Sequence, residues 1–158
     1  MTRPVTHTRL KNIALFYLER YEATASKLKT VLLRRVQKGL EPGESVSAQA
    51  HQWIQQVVAE CERLGYINDA RYAENMVRRL SEQGKSARFI QQKLNGAGVD
   101  SQIIQELLSP YNDYESARIF ARKKRLGADY KKDMAKLARA GFSYEIAKQI
   151  LNKEDMDV

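Results

Sequence analysis

The strongest constraint on how this chain can fold is a stretch of it that occurs twice. Lys93-Leu94-Asn95-Gly96-Ala97-Gly98-Val99-Asp100 aligns without a gap on Lys136-Leu137-Ala138-Arg139-Ala140-Gly141-Phe142-Ser143, 43 residues later, and the match continues with Ile103 over Ile146, Leu107 over Ile150 and Leu108 over Leu151. Each copy reads as a helix, a glycine stop, an apolar residue that folds back on the helix end, an Asp or Ser cap and a second helix. Two short helices joined this tightly cannot bury both faces alone, so a third helix and a neighbouring unit must cover them. A weaker first copy aligns Gly39-Leu40 with Gly98-Val99, with Arg35 where Leu94 would stand and a longer link through Pro42.

Helical periodicity extends the pattern along the chain. Leu10, Ile13, Ala14, Tyr17, Leu18 and Tyr21 mark a first helix, and Leu28, Val31, Leu32 and Val36, capped by Thr24, mark a second. The third stripe runs from Val46 to Leu64 through Trp53, its expected core anchor, and stops at Gly65. Asn68 or Asp69, Ser86 and Asp100 are placed to cap three more helices, the first two of them stopped at Gly84 and Gly98. Further segments cover 114–126, 130–140 and 143–151. No run alternates with period two, and no Asn-Gly or Asp-Gly turn separates apolar runs. The expected fold is all-α, an elongated array of three tandem three-helix, helix-turn-helix-like repeats. They span 9–64, 65–110 and 111–152, with a flexible arm at 1–8 and a polar tail at 153–158.

In their order and spacing, several segments resemble the signature of the RecX family, regulators of the RecA recombinase. They are Gly65-Tyr66-Ile67-Asn68-Asp69-Ala70-Arg71-Tyr72-Ala73, then Gly84-Lys85-Ser86, then Gln92-Lys93-Leu94 leading to Ala97-Gly98-Val99. Ala14-Leu15-Phe16-Tyr17-Leu18-Glu19-Arg20 and Arg139-Ala140-Gly141-Phe142-Ser143 with Ile146 look like the same family, so the likeness spans about residues 11 to 151. One departure is Ala25-Ser26-Lys27-Leu28, where lysine replaces an acid. The resemblance implies tandem three-helix units without catalytic activity that bind the RecA–DNA nucleoprotein filament. Members modulate, and generally inhibit, filament extension, ATP turnover and strand exchange in recombination, repair and the SOS response.

Charge agrees with a polyanionic partner. With 27 Lys and Arg against 19 Asp and Glu, the formal net charge is +8, and an anionic surface is the expected contact. The basic residues cluster as Arg34, Arg35 and Lys38; as Arg78, Arg79, Lys85, Arg88 and Lys93; and as Arg122, Lys123, Lys124 and Arg125 followed by Lys131 and Lys132. Any one of them could be a solvated helix face, but four consecutive cations at 122–125 call for neutralisation. The spread favours an extended contact on a filament or polyanion over one base-reading helix. Single- or double-stranded DNA is expected to bind weakly and without sequence specificity. The alternative is a direct helix-turn-helix reader of duplex DNA, against which no helix collects Asn, Gln and Arg in its first turn. Tyr111 and Tyr144 are the freest candidates for base stacking, whereas Tyr72, Phe89 and Phe120 read as core.

Other chemistry finds little support. Gly84-Lys85-Ser86 copies the end of a phosphate-binding loop, but Arg79 stands where that motif needs its first glycine, and a helix precedes it. Two histidines, His7 and His51, and the single Cys61 make no zinc pattern, and Cys61 reads as a small core residue. Asp129 and Asp133 read as caps or exposed faces, leaving a carboxylate metal nuclease as the weak enzyme reading. No catalytic, cofactor or metal residue is assigned. The opening MTRPVTHTRL lacks an apolar signal core and no window could span a membrane, so cytoplasmic residence is expected; a monomer is a separate expectation.

Overall fold

The computed structural model describes residues 5–156, with side chains to residue 152. Among these residues the backbone forms nine helices: α1 (His7–Arg20), α2 (Ala25–Lys38), α3 (Ala48–Arg63), α4 (Asp69–Glu82), α5 (Ala87–Gly96), α6 (Ser101–Leu108), α7 (Asp113–Lys124), α8 (Tyr130–Arg139) and α9 (Tyr144–Met156). Their starts are written locally. Thr6, Thr24, Ser47 and Asp129 each accept a hydrogen bond from the amide three residues on, while Asp100 and Asn112 accept from the amide two residues on. Asn68 caps α4 by accepting from Arg71 N at 3.0 Å.

The expected ends need correction. Because Thr6 caps α1, His7 and Thr8 are helical and not part of an arm, and Val5 packs on the core. The α9 backbone continues to Met156, through most of the segment expected as a tail. Residues 1–4 and 157–158 lie outside the described part.

The chain divides into two compact units, Met1–Tyr72 with Ala97–Val99, and Ala73–Gly96 with Asp100–Val158. In the first, Leu10 and Ala14 of α1 meet Leu28, Leu32 and Val36 of α2 and Ile54, Val57, Val58 and Cys61 of α3. Each large aliphatic side chain buried there stabilises the fold by about 1.5–3 kcal/mol before entropy is subtracted. Trp53 is not the central anchor. The α3 stripe centres on Ala50, Ile54, Val57 and Cys61, and Trp53 sits at its edge, only partly buried. Cys61 is buried as expected, and burial raises its thiol pKa above the ordinary 9.0. Lys11 of α1 closes this unit's surface with an ion pair to Glu60 of α3 at 3.1 Å.

In the second unit Ala117 and Ala121 of α7, Leu137 of α8 and Ala147, Ile150 and Leu151 of α9 surround Phe142, whose ring meets Phe120 at 5.8 Å. Asp133 of α8, expected as a cap or exposed face, is 5% exposed and accepts from Gly127 N at 2.7 Å. It therefore folds the α7–α8 link onto its own helix.

One joint occurs in both units. In the first, the fully buried Thr24 hydroxyl caps α2 and donates to Ala97 O, while Ala25 N donates to Asp69 Oδ1 at 2.9 Å. In the second, the fully buried Ser86 hydroxyl caps α5 and donates to Ala140 O at 2.8 Å, while Ala87 N donates to Asp113 Oδ1 at 2.8 Å. An Asn-Asp pair supplies both acceptors: Asn68 and Asn112 cap their own helices, and Asp69 and Asp113 reach the other chain segment. Gly98 and Gly141 belong to the same device. Both hold positive φ (77° and 96°), and a Cβ would lie 2.4 Å from Ser26 Oγ in one case and 2.5 Å from Ser86 Oγ in the other.

This joint also corrects the register of the first copy. Counted from the caps, Leu28 and Leu32 of α2 take the places of Ile90 and Leu94 in α5, all four fully buried. The match of Gly39 to Gly98 counted from the wrong end, because α2 is 14 residues long against 10 for α5. Gly39 accordingly has a right-handed φ of −87°.

Candidate partner-binding surface

Each basic cluster arises because a helix buries its apolar stripe and turns the remaining positions outward. Burying Leu28, Leu32 and Val36 leaves Arg34, Arg35 and Lys38 exposed on the last turns of α2. Burying Ala73 and Leu80 does the same for Arg78 and Arg79 on α4, where Arg78 Nη2 donates to Asn75 Oδ1 at 2.6 Å. Arg122, Lys123 and Lys124 occupy the last turn of α7, and Lys131 and Lys132 the first turn of α8. Cations near a helix C-terminus also complement its dipole, which explains part of the placement on α2 and α7 without any partner.

Two clusters are assembled around aromatic rings. In the second unit, Lys85 and Lys93 place their ammonium groups 4.8 and 5.6 Å from the Phe89 ring centroid. Arg88, Phe89 and Gln92 then face Arg139 and Gly141 across a cleft of about 270 Å³. Phe89, expected as core, is thus a half-buried platform under two lysines. In the first unit Arg34, Arg35 and Lys38 line a cleft of about 410 Å³ with Phe16, Tyr17 and Arg20 of α1 and the capping residue Tyr21. Sequence periodicity missed these α1 residues as site candidates because Tyr17 and Tyr21 fit the apolar stripe. The usable signal was Phe16 with Arg20 one turn later, a ring and a cation stacked at 4.5 Å.

The run at 122–125 carries a backbone signature. Arg125 sits in the left-handed region (φ 53°, ψ 49°), the one non-glycine with positive φ among the described residues. Gly84 holds the equivalent place after α4: Lys85 N bonds Leu80 O there, as Leu126 N bonds Ala121 O after α7. A side chain in that conformation costs about 1 kcal/mol, strain of the kind stored at functional positions. Lys123 Nζ reaches Gln83 O at 3.4 Å.

Ion pairs join Lys11 and Arg63 to Glu60, and Arg118 to Glu115. None involves a residue of the basic clusters. Of the freer aromatics, Tyr144 is 68% exposed, whereas Tyr111 is committed: its hydroxyl donates to Lys85 O at 2.7 Å and meets Ser116 Oγ, and burial raises its pKa. The loop-like Gly84-Lys85-Ser86 is the α4–α5 turn, with Lys85 on Phe89 and the Ser86 hydroxyl inside the joint. No group of three or more potential metal ligands and no helix long and apolar enough to cross a membrane occurs among the described residues.

Known proteins match this chain along most of its length. The family described as RecX, second three-helix domain, matches residues 68–108. The regulatory protein RecX of Myxococcus xanthus is 39% identical over 164 residues, covering 95% of this chain and 88% of the relative. That of Agrobacterium fabrum is 31% identical, covering 89% and 80%. The crystal structure of RecX from Lactobacillus salivarius superposes with a TM-score of 0.72 at 24% identity, covering 95% of this chain and 97% of the other, and so agrees in fold. On the strength of the sequence relatives and the matched domain, this chain belongs to the RecX family of regulatory proteins.

Proposed function

We propose that this protein binds the RecA recombinase and its nucleoprotein filament, and lowers filament extension, ATP turnover and strand exchange. The observation that carries the reading, beside membership of the family, is the distribution of exposed positive charge. The exposed cations of the basic clusters on α2, α4, α5, α7 and α8 take no part in the ion pairs of Lys11 and Arg63 with Glu60 or of Arg118 with Glu115. Distributed cations suit a long polyanionic partner, because each contact adds modestly and linked contacts gain from effective concentration. Three repeats of three helices each, α1–α3, α4–α6 and α7–α9, would give successive recombinase protomers a similar helical unit to meet. The protein would act in the cytoplasm, beside DNA, as a regulator and not a catalyst.

DNA-dependent ATP hydrolysis by the cognate recombinase on single-stranded DNA, titrated with this protein well below one per protomer, tests the proposal. Turnover should fall, and a variant carrying Arg122→Glu and Lys124→Glu should inhibit less. Unchanged turnover at excess protein would refute the reading, and sequence-selective binding of labelled duplex DNA in its place would favour a direct DNA reader.

A further inference from the structure

We infer that the α1–α2 cleft of the first unit is a binding site for unpaired bases of single-stranded nucleic acid. Three features of the cleft point the same way. Phe16 of α1 and Tyr21, the residue that caps its end, are each 57% exposed although α1 buries its other face on the core. The rings form two pairs along the same cleft, with the Arg20 guanidinium 4.5 Å over Phe16 and the Tyr17 and Tyr21 centroids 5.0 Å apart. Arg34, Arg35 and Lys38 line the facing wall, Ile13 and Val31 complete the lining, and none of the lining residues is a carboxylate.

This combination selects among anionic partners. A duplex keeps its bases stacked and offers mainly phosphates to a non-reading surface, so it would satisfy the cations and leave the rings bare. An unpaired strand presents base faces and phosphates in alternation. Its bases can stack on Phe16, Tyr21 or the outer face of the Arg20 guanidinium while its phosphates meet the α2 cations. Any base has a π-face, so no sequence preference is required. An acidic peptide would use the cations but needs a stacked platform less, and it is an outcome of the test below. The inference deepens the proposed function by naming the DNA component a filament regulator would touch. Its test contains no recombinase, so either reading can fail without the other.

The experiment measures fluorescence anisotropy of labelled oligothymidylate, an abasic strand of the same length and a matched duplex with the full chain, across a salt series. The wild-type protein should prefer the oligothymidylate. Phe16→Ala should weaken that binding roughly tenfold, with duplex and abasic strand affected no more than about twofold. Because Phe16 is 57% exposed, this variant should retain its helical circular dichroism. Arg34→Gln, which leaves the rings intact, should reduce the slope of log affinity against log salt by about 0.7 on the single strand. Equal binding of abasic and thymidylate strands, or equal losses on single strand and duplex in Phe16→Ala, would overturn the inference. So would a tyrosine-containing polyglutamate peptide that displaces the strand and depends more on Phe16 than the strand does.

Discussion

Replacing Ser86 by alanine tests the second unit's own copy of the joint that recurs in each unit. The Ser86 hydroxyl is fully buried, accepts from Phe89 N at 3.1 Å and donates to Ala140 O at 2.8 Å. Losing the cap costs about 1 kcal/mol. Losing the buried donor to a carbonyl 54 residues away costs about 1–1.5 kcal/mol more, because that carbonyl keeps its desolvation penalty. The expected total is about 2–2.5 kcal/mol, or roughly 5–10 °C in Tm for a chain of this size. Ser143→Ala is the matched control. Ser143 caps α9 in the same way, accepting from Ile146 N at 3.2 Å, but is exposed, so its loss should cost only about 1 kcal/mol. Urea unfolding followed by circular dichroism reads both variants. Asp113→Ala, which removes the acceptor of Ala87 N, should couple to Ser86→Ala by at least ~0.5 kcal/mol in a double-mutant cycle. Equal costs for Ser86→Ala and Ser143→Ala would refute the reasoning, since the cross-chain bond would then contribute nothing beyond the cap.

Two further perturbations test the strain and the burial. Arg125→Gly relieves the left-handed arginine and should raise stability by about 0.5–1 kcal/mol in thermal unfolding, while weakening inhibition of the recombinase ATPase; a stability loss would show that the backbone is not strained there. Cys61 and Tyr111 both have pKa values raised by burial, to above 9.0 and 10.0 respectively. In each case the folded state holds the proton more tightly, so their contribution is complete below the unfolded values and is lost as pH rises through about 9 and beyond. Urea midpoints should therefore fall above pH 9, and Cys61→Ala should fall less between pH 9 and 10; a midpoint independent of pH over that range would contradict the burial.

Much of the local structure was legible from single side chains. Thr24, Asn68, Ser86 and Asp100 announce helix starts because a cap satisfies amides only two or three residues away. Leu94 and Leu137 lie 43 residues apart and are both fully buried, so the internal repeat also marked core positions correctly. The basic clusters were readable because a charged side chain in the open face of an amphipathic helix stays in water.

Tertiary structure alone decided the rest, and each case has the same origin. That Asp69 serves Ala25 and Asp113 serves Ala87, at separations of 44 and 26 residues, depends on which segments the fold brings together. The burial of Asp133, the edge position of Trp53 and the exposure of Phe16 and Tyr21 depend on which part of a helix its neighbours cover. The facing of Phe16 and Arg20 by Arg34, Arg35 and Lys38 is likewise a product of α1 packing beside α2. Periodicity states that a helix has an apolar face and where a cap will begin it. How far that face extends, and which side chains at its margin are left to meet a partner, is set by packing between residues distant in the chain.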